Sequence, residues 1–388
     1  MPKTTARARA YKTLDLHGLD ALLHALVEQN YRLIGPRVRE GVIVYDDIAG
    51  VDDLPAGAFD EQDTATYRLI KTDKPSLFGY TISPQSWKRY LFPPEVKLWQ
   101  ADRTGSSITI GTNSDDPGER TKPFAFIGVR PCEVRAIAIQ DRVFINQTYA
   151  DPVYKSRRED AFILAVNCTR PGKTCFCASM DAGPQVTDGC DLALTEVLDE
   201  DRHYFVVEVH SDRGAAIMEG IPQRNTSAEE QKNASGLLHA AAQNMGRAVK
   251  TKGLRDLLNH SHDHPQWDSV ASRCLSCANC TMVCPTCFCS TVEDVTDLSG
   301  DHAERWRKWD SCFMLDSSYI FGGSVRATSK SRYRQWLTHK MATWNDQFDS
   351  MGCVGCGRCI AWCPAGIDIT AEIRAIQESE PADATRKK

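Results

Sequence analysis

Cys274-Leu-Ser-Cys277-Ala-Asn-Cys280-Thr-Met-Val-Cys284-Pro285 and Cys353-Val-Gly-Cys356-Gly-Arg-Cys359-Ile-Ala-Trp-Cys363-Pro364 are two copies of one spacing. Both fit C-x2-C-x2-C-x3-C-P, the bacterial ferredoxin run, in which three thiolates hold one [4Fe–4S] cube and the fourth reaches across to another. Two copies supply the eight thiolates that two cubes require. A zinc site needs four ligands and usually draws them from two separated C-x2-C pairs, so a compact triple serves it poorly. The spacing implies chemistry in which electrons move.

The proline after each fourth cysteine turns the chain away from its own triple. Cys363 is therefore expected to complete the cube of Cys274, Cys277 and Cys280, and Cys284 that of Cys353, Cys356 and Cys359. In the simpler alternative each run holds its own cube. The segment between the runs, from Pro285 to Gly352, is too long for a bare loop and should carry structure of its own.

Composition sets the frame. A chain of 388 residues has room for two or three domains, and 42% hydrophobic with 25% charged residues is ordinary for a globular protein. A net charge of −5 gives no reason to expect nucleic acid or an anionic membrane as a partner. Sixteen cysteines would suggest disulfides in a small exported protein, but this chain is large. Its start, from Met1 to Ala10, lacks the apolar core of a signal peptide, and no run of ~18 apolar residues could span a bilayer. A reducing cytoplasm that leaves the thiols available as ligands is the consistent reading.

Ahead of the cysteine runs, Leu14–Glu28 carries a helical apolar stripe. Val38–Tyr45, Tyr67–Ile70, Leu77–Ile82, Phe124–Val129, Ala161–Val166, Asp191–Val197 and Tyr204–Val209 read as strands, with a helix over Val134–Asp141. Ser227–Lys250 reads as helix, and Asn259–Pro265 as a linker. The expected architecture is α+β. A mixed α/β domain over 1–220 is followed by a helical linker region over 221–268. A helical, ferredoxin-like two-cluster domain follows over 269–380, then a disordered tail over 381–388.

Eight cysteines remain. Cys168, Cys175 and Cys177 crowd one Pro-Gly loop after a strand, and Cys132 follows another strand in Arg130-Pro-Cys132-Glu133. Loops leaving neighbouring strand ends could gather these four around a third [4Fe–4S] cluster, with Cys190 as an alternative fourth ligand. Cys287, Cys289 and Cys312 lack an evident fourth partner and read as buried thiols beside the clusters. His260, His262 and His264 alternate as in a metal tract but sit in polar sequence. The basic, aromatic stretch Arg326–Trp344 reads either as a solvated helix face or as a surface that docks a partner or shields anionic clusters. No G-x-G-x-x-G or G-x4-G-K-[ST] motif is present, and Gly352, Gly355 and Gly357 are expected to make room around a cluster.

Gly128-Val-Arg-Pro-Cys132, Cys175-Phe-Cys177, Cys284-Pro-Thr-Cys-Phe-Cys289, Arg332-Tyr-Arg334 with His339-Lys340, and Cys353 to Cys359 together resemble a known family. It is the iron–sulfur beta subunit of cytoplasmic, sulfhydrogenase-type, NAD(P)-linked [NiFe]-hydrogenases, to which the iron–sulfur subunit of anaerobic sulfite reductase is similar. The resemblance runs from about Leu14 to Thr370. It implies an electron-transfer subunit that relays electrons between a subunit carrying FAD and binding NAD(P)H and the small and large subunits of a [NiFe]-hydrogenase. It favours Cys132 over Cys190 at the third site. The motifs do not separate the hydrogenase branch from the sulfite branch, and a self-contained flavin-linked reductase is a further alternative.

Overall fold

A computed structural model describes residues 10–81, 83–111, 122–199 and 202–379; the tail expected over 381–388 lies outside them. An eight-stranded sheet organises the first half of the chain. Its order is Arg224–Asn225, Tyr11–Leu14, Arg202–Val209, Leu192–Asp199, Phe162–Val166, Phe124–Val129, Arg32–Arg39, Val42–Asp47. The four strands Leu192–Asp199, Phe162–Val166, Phe124–Val129 and Arg32–Arg39 run parallel. Parallel strands covered on both faces read as continuous apolar runs, as Phe-Ala-Phe-Ile-Gly-Val does here. Phe162, Leu164 and Val166 face a core closed by the helix Leu16–Glu28, while Ile163 and Ala165 face a second core with Val134, Ile137 and Tyr154. The second core is closed by the helices Pro131–Phe144 and Pro152–Glu159.

Two strand expectations fail for physical reasons. Val38–Tyr45 is not one strand, because Glu40 and Gly41 both adopt left-handed conformations (φ 49° and 75°) and fold Arg32–Arg39 back on Val42–Asp47. Leu77–Thr81 is buried but pairs with no strand (Ile82 is outside the described residues). Side chains replace the ladder. Glu196 accepts from Ser76 Oγ at 2.7 Å, Leu77 N at 2.7 Å and Phe78 N at 3.0 Å, Asp60 accepts from Thr81 N at 2.7 Å, and Arg130 donates to the carbonyls of Phe78 and Tyr80. Every backbone group so satisfied is one fewer reason to join the sheet.

The segment between the cysteine runs does carry structure. Ser290–Thr296 and His302–Trp309 form a hairpin that pairs with the earlier hairpin Glu95–Thr104 and Ser107–Gly111 in a four-stranded antiparallel sheet. A helix over Ser329–Thr338, a π-helical turn over His339–Thr343 and a helix over Trp344–Phe348 follow. Arg332, Tyr333, Trp336 and Lys340 on this stretch are buried, so the basic segment is not a solvated face. Asn259–Pro265 is partly helical, since Leu254–His260 forms a helix. The two halves of the chain are stitched together by Arg358, whose Nε donates to Ser83 O at 2.7 Å, and by the Phe176 N–H, which donates to Gly355 O at 2.8 Å.

Candidate iron–sulfur centres

The two cysteine runs fold alike. Each places its first thiols on a loop and then makes one helical turn, Asn279–Met282 or Arg358–Ala361. The backbone is left-handed at matching places: Ser276 (φ 51°) and Gly355 (φ 65°), then Ala278 (φ 65°) and Gly357 (φ 76°). Folded this way, amides turn toward sulfur. Ser276 N donates to Cys274 Sγ at 3.4 Å, Gly355 N to Cys353 Sγ at 3.4 Å, and Ile367 N to Cys363 Sγ at 3.3 Å. Such donors favour the thiolate and are one of the levers a protein has on a cluster.

The thiols then interleave between runs. Cys274, Cys277, Cys280 and Cys363 line one concavity of about 460 Å³, walled by Phe313, Tyr333 and Trp336. Cys353, Cys356, Cys359 and Cys284 line a second, of about 340 Å³, beside Phe176, Lys340 and Arg358. The Asn279 side chain donates to Trp362 O at 3.0 Å and ties the two helical turns together. Among the described residues no three His, Cys, Asp or Glu side chains converge on a single metal ion.

A third concavity, of about 330 Å³, gathers Cys132, Cys168, Cys175 and Cys177. Cys132 opens the helix Pro131–Phe144 at the end of Phe124–Val129, and Cys168 lies just past Phe162–Val166. These are adjacent parallel strands, and the crevice outside their carboxyl ends is where open α/β sheets bind ligands. Cys190 instead packs in the core with Val134 and Val186 and does not line this concavity. Cys359 stands on the walls of the first and second concavities, and Cys356 on those of the second and third. The three form a row.

The glycines of the second run also pack closely against neighbouring elements, and Gly357 lines the second concavity. A Cβ on Gly355 would meet the Phe176 backbone at 2.6 Å, one on Gly357 would meet Thr174 O at 2.4 Å, and one on Gly352 would meet the Trp344 ring at 2.4 Å. At Gly355 and Gly357 glycine therefore admits the loop that carries Cys175 and Cys177.

Burial and neighbouring thiols push Cys132, Cys280 and Cys359 well above the ordinary thiol range, and Cys353 and Cys177 up to about 12. Metal binding displaces such protons, so each site fits a cationic cluster core. Cys284 is the exception: the hydrogen-bonded Cys287 thiol holds it well below the usual range, with help from Lys340 and Thr286. Of the surplus thiols, Cys289 and Cys312 flank the hairpin Ser290–Trp309, and the Cys312 thiol pulls Cys289 down to about 7.

Sequence reasoning missed two cations around these sites, Arg358 and Arg130. Arg358, fully buried, pairs with Glu133 at 2.6 Å, and Glu133 also accepts from Tyr45 Oη at 2.9 Å and Trp87 Nε1 at 3.0 Å. Arg130 hydrogen-bonds Cys168 and opposes the effect of burial on that thiol. The signal was adjacency: Arg358 and Glu133 each sit beside a cysteine in the chain, in Cys356-Gly-Arg-Cys359 and Cys132-Glu133.

Residues 273–367, which hold both cysteine runs, match the 4Fe-4S dicluster domain family. The subunit beta of sulfhydrogenase 2 from Pyrococcus furiosus is 32% identical over 321 residues, covering 81% of this chain and 90% of that protein. No solved structure matches the chain. Likeness of that extent shows the family: the chain belongs to the sulfhydrogenase beta subunits, iron–sulfur electron-transfer proteins that carry [4Fe–4S] clusters.

Proposed function

We propose that this chain is a three-cluster relay of a cytoplasmic, NAD(P)-linked [NiFe]-hydrogenase. Cys274, Cys277, Cys280 and Cys363 hold the first cube, and Cys284, Cys353, Cys356 and Cys359 hold the second. Cys132, Cys168, Cys175 and Cys177 hold a third. When bound, the cubes accept and pass on one electron at a time. The observation that carries the reading is the row of thiol-lined concavities joined through Cys359 and Cys356.

The chain's own residues supply the setting. Phe313, Tyr333 and Trp336 keep water from one side of the first site. Amides of Ser276, Gly355 and Ile367 steady the ligand sulfurs. Arg358 and Glu133 fix the second run against the sheet. The division into 1–220, 221–268 and 269–380 belongs to this reading, with the third site in the first domain and the ferredoxin-like pair in the last.

A flavin subunit that binds FAD and NAD(P)H stands at one end of the relay, and the hydrogenase small and large subunits stand at the other. The likeness to the Pyrococcus sulfhydrogenase protein favours this branch over the sulfite reductase branch. No nucleic acid or membrane partner is included, and among the described residues no helix is long and apolar enough to cross a membrane.

The test is anaerobic reduction of the isolated, cluster-loaded chain. Dithionite should bleach its visible absorbance, whereas NADH or NADPH should do so only after a flavin subunit is added, because flavin splits a hydride's two electrons into single steps. Rapid bleaching by NADPH alone, with stoichiometric flavin bound to this chain, would overturn the relay reading in favour of a self-contained reductase.

A further inference from the structure

Lys340 lies on the π-helical turn His339–Thr343 and is 3% exposed. Single π turns inside helices recur at functional sites. Its Nζ donates to Cys284 Sγ at 3.1 Å, to Thr286 Oγ1 at 2.9 Å and to Gly352 O at 3.0 Å. The Thr286 hydroxyl hydrogen is itself directed at Gly352 O, 2.7 Å away, so its oxygen is free to accept. Three acceptors need three N–H bonds. An ammonium supplies three, so the arrangement fits Lys340 as a cation beside the Cys284 sulfur.

Among the described residues no carboxylate pairs with it. Arg358, at the same concavity and just as buried, shows the contrast, since Glu133 neutralises it at 2.6 Å. An ammonium removed from water needs an anion beside it, and the one at hand is the Cys284 sulfur with whatever that sulfur holds.

We propose that Lys340 is a positioning residue that raises the reduction potential of the cube held by Cys284, Cys353, Cys356 and Cys359. This inference rests on the cluster assignment proposed above. Taking up one electron adds one negative charge to the bound cube. A fixed positive charge 3.1 Å from a ligand sulfur favours the more negative form. Burial strengthens that preference, because little water is present to screen it. Lys340 thereby makes the middle of the row a better electron acceptor than its thiol set and depth alone would allow.

The experiment compares wild-type and Lys340→Gln protein, both cluster-loaded, by redox titration followed with electron paramagnetic resonance and by iron analysis. The signal of the middle cube is the one lost in Cys353→Ser. In Lys340→Gln the ratio of reduced to oxidised middle cube at a fixed ambient potential should fall about tenfold, equivalent to ~59 mV for a one-electron couple. Iron content and the other signals should stay as they are, and Lys340→Arg, which keeps the charge, should recover most of the ratio. An unchanged midpoint with full iron overturns the inference alone. Loss of the middle cube's iron in both Lys340→Gln and Lys340→Met assigns Lys340 to holding the cluster and likewise overturns it. If Cys353→Ser removes no signal, the cluster assignment itself fails.

Discussion

The Cys175 sulfur stands 3.9 Å from the backbone carbonyl oxygen of Cys356. One residue belongs to the loop after a parallel strand and the other to the second ferredoxin run, 181 positions later. Phe176 N donates to Gly355 O across the same seam. The second and third concavities thus share backbone as well as a wall, and their geometries cannot vary independently.

That seam makes the third site testable by stoichiometry. Cluster-loaded wild type should carry ~12 iron and ~12 sulfide, and Cys175→Ala with Cys177→Ala should lower both to ~8. A wild-type value near ~8 that the double variant leaves unchanged would remove the third cube.

Gly355→Ala probes the seam itself. Its φ of 65° already costs an alanine about 1–2 kcal/mol, and the new Cβ would meet the Phe176 backbone at 2.6 Å. We expect iron to be lost from the second and third sites while the first keeps its cube. Loss confined to the first site would contradict this packing.

Crossed ligation has its own signature. Cys363→Ser should perturb the same spectroscopic signal as Cys274→Ser, although the two are far apart in sequence, and should spare the signal lost in Cys353→Ser. Coincidence of the Cys363→Ser and Cys353→Ser effects on one cube would mean that each run holds its own.

What the sequence made legible was local. The C-x2-C-x2-C spacing, the Pro285 and Pro364 stops and the strand-then-cysteine order at Cys132 and Cys168 are all short-range patterns, and the thiols they mark line the three concavities. What escaped was set at long range. Leu77–Thr81 has strand-like residues, yet Glu196 and Arg130, distant in sequence, take its backbone groups. Lys340 lies in a stretch that reads equally as a solvated face, a docking surface or a shield for anionic clusters, and its burial against Cys284 is visible only in the fold. Likewise the pairing of His302–Trp309 with Glu95–Thr104 has no signature in either strand.

Glu133 carries the largest expected stability effect. It is 1% exposed and accepts from Arg358, Tyr45 and Trp87 at once. Glu133→Ala leaves the fully buried Arg358 without its counter-charge and should cost about 3–5 kcal/mol. The check is the denaturant midpoint of the cluster-loaded protein. A shift worth less than about 1 kcal/mol would show that water or rearrangement compensates the arginine.

Cys289 offers a pH-dependent readout outside the proposed ligand sets. An ordinary cysteine ionises near ~8.5, whereas the Cys312 thiol hydrogen-bonded to Cys289 holds it at about 7. A depressed value means that the thiolate predominates above pH 7, so iodoacetamide should label Cys289 along a curve centred near 7, slowly because the sulfur is largely buried. The sign for stability follows: the interaction is fully present above the unfolded value of ~8.5 and is lost as pH falls through about 7. Cys312→Ala removes the donor and should move the labelling curve upward, toward that of an ordinary thiol. Peptide mapping after timed labelling of the cluster-loaded protein measures both curves. Coincident curves in wild type and variant would show that Cys312 does not set the reactivity of Cys289.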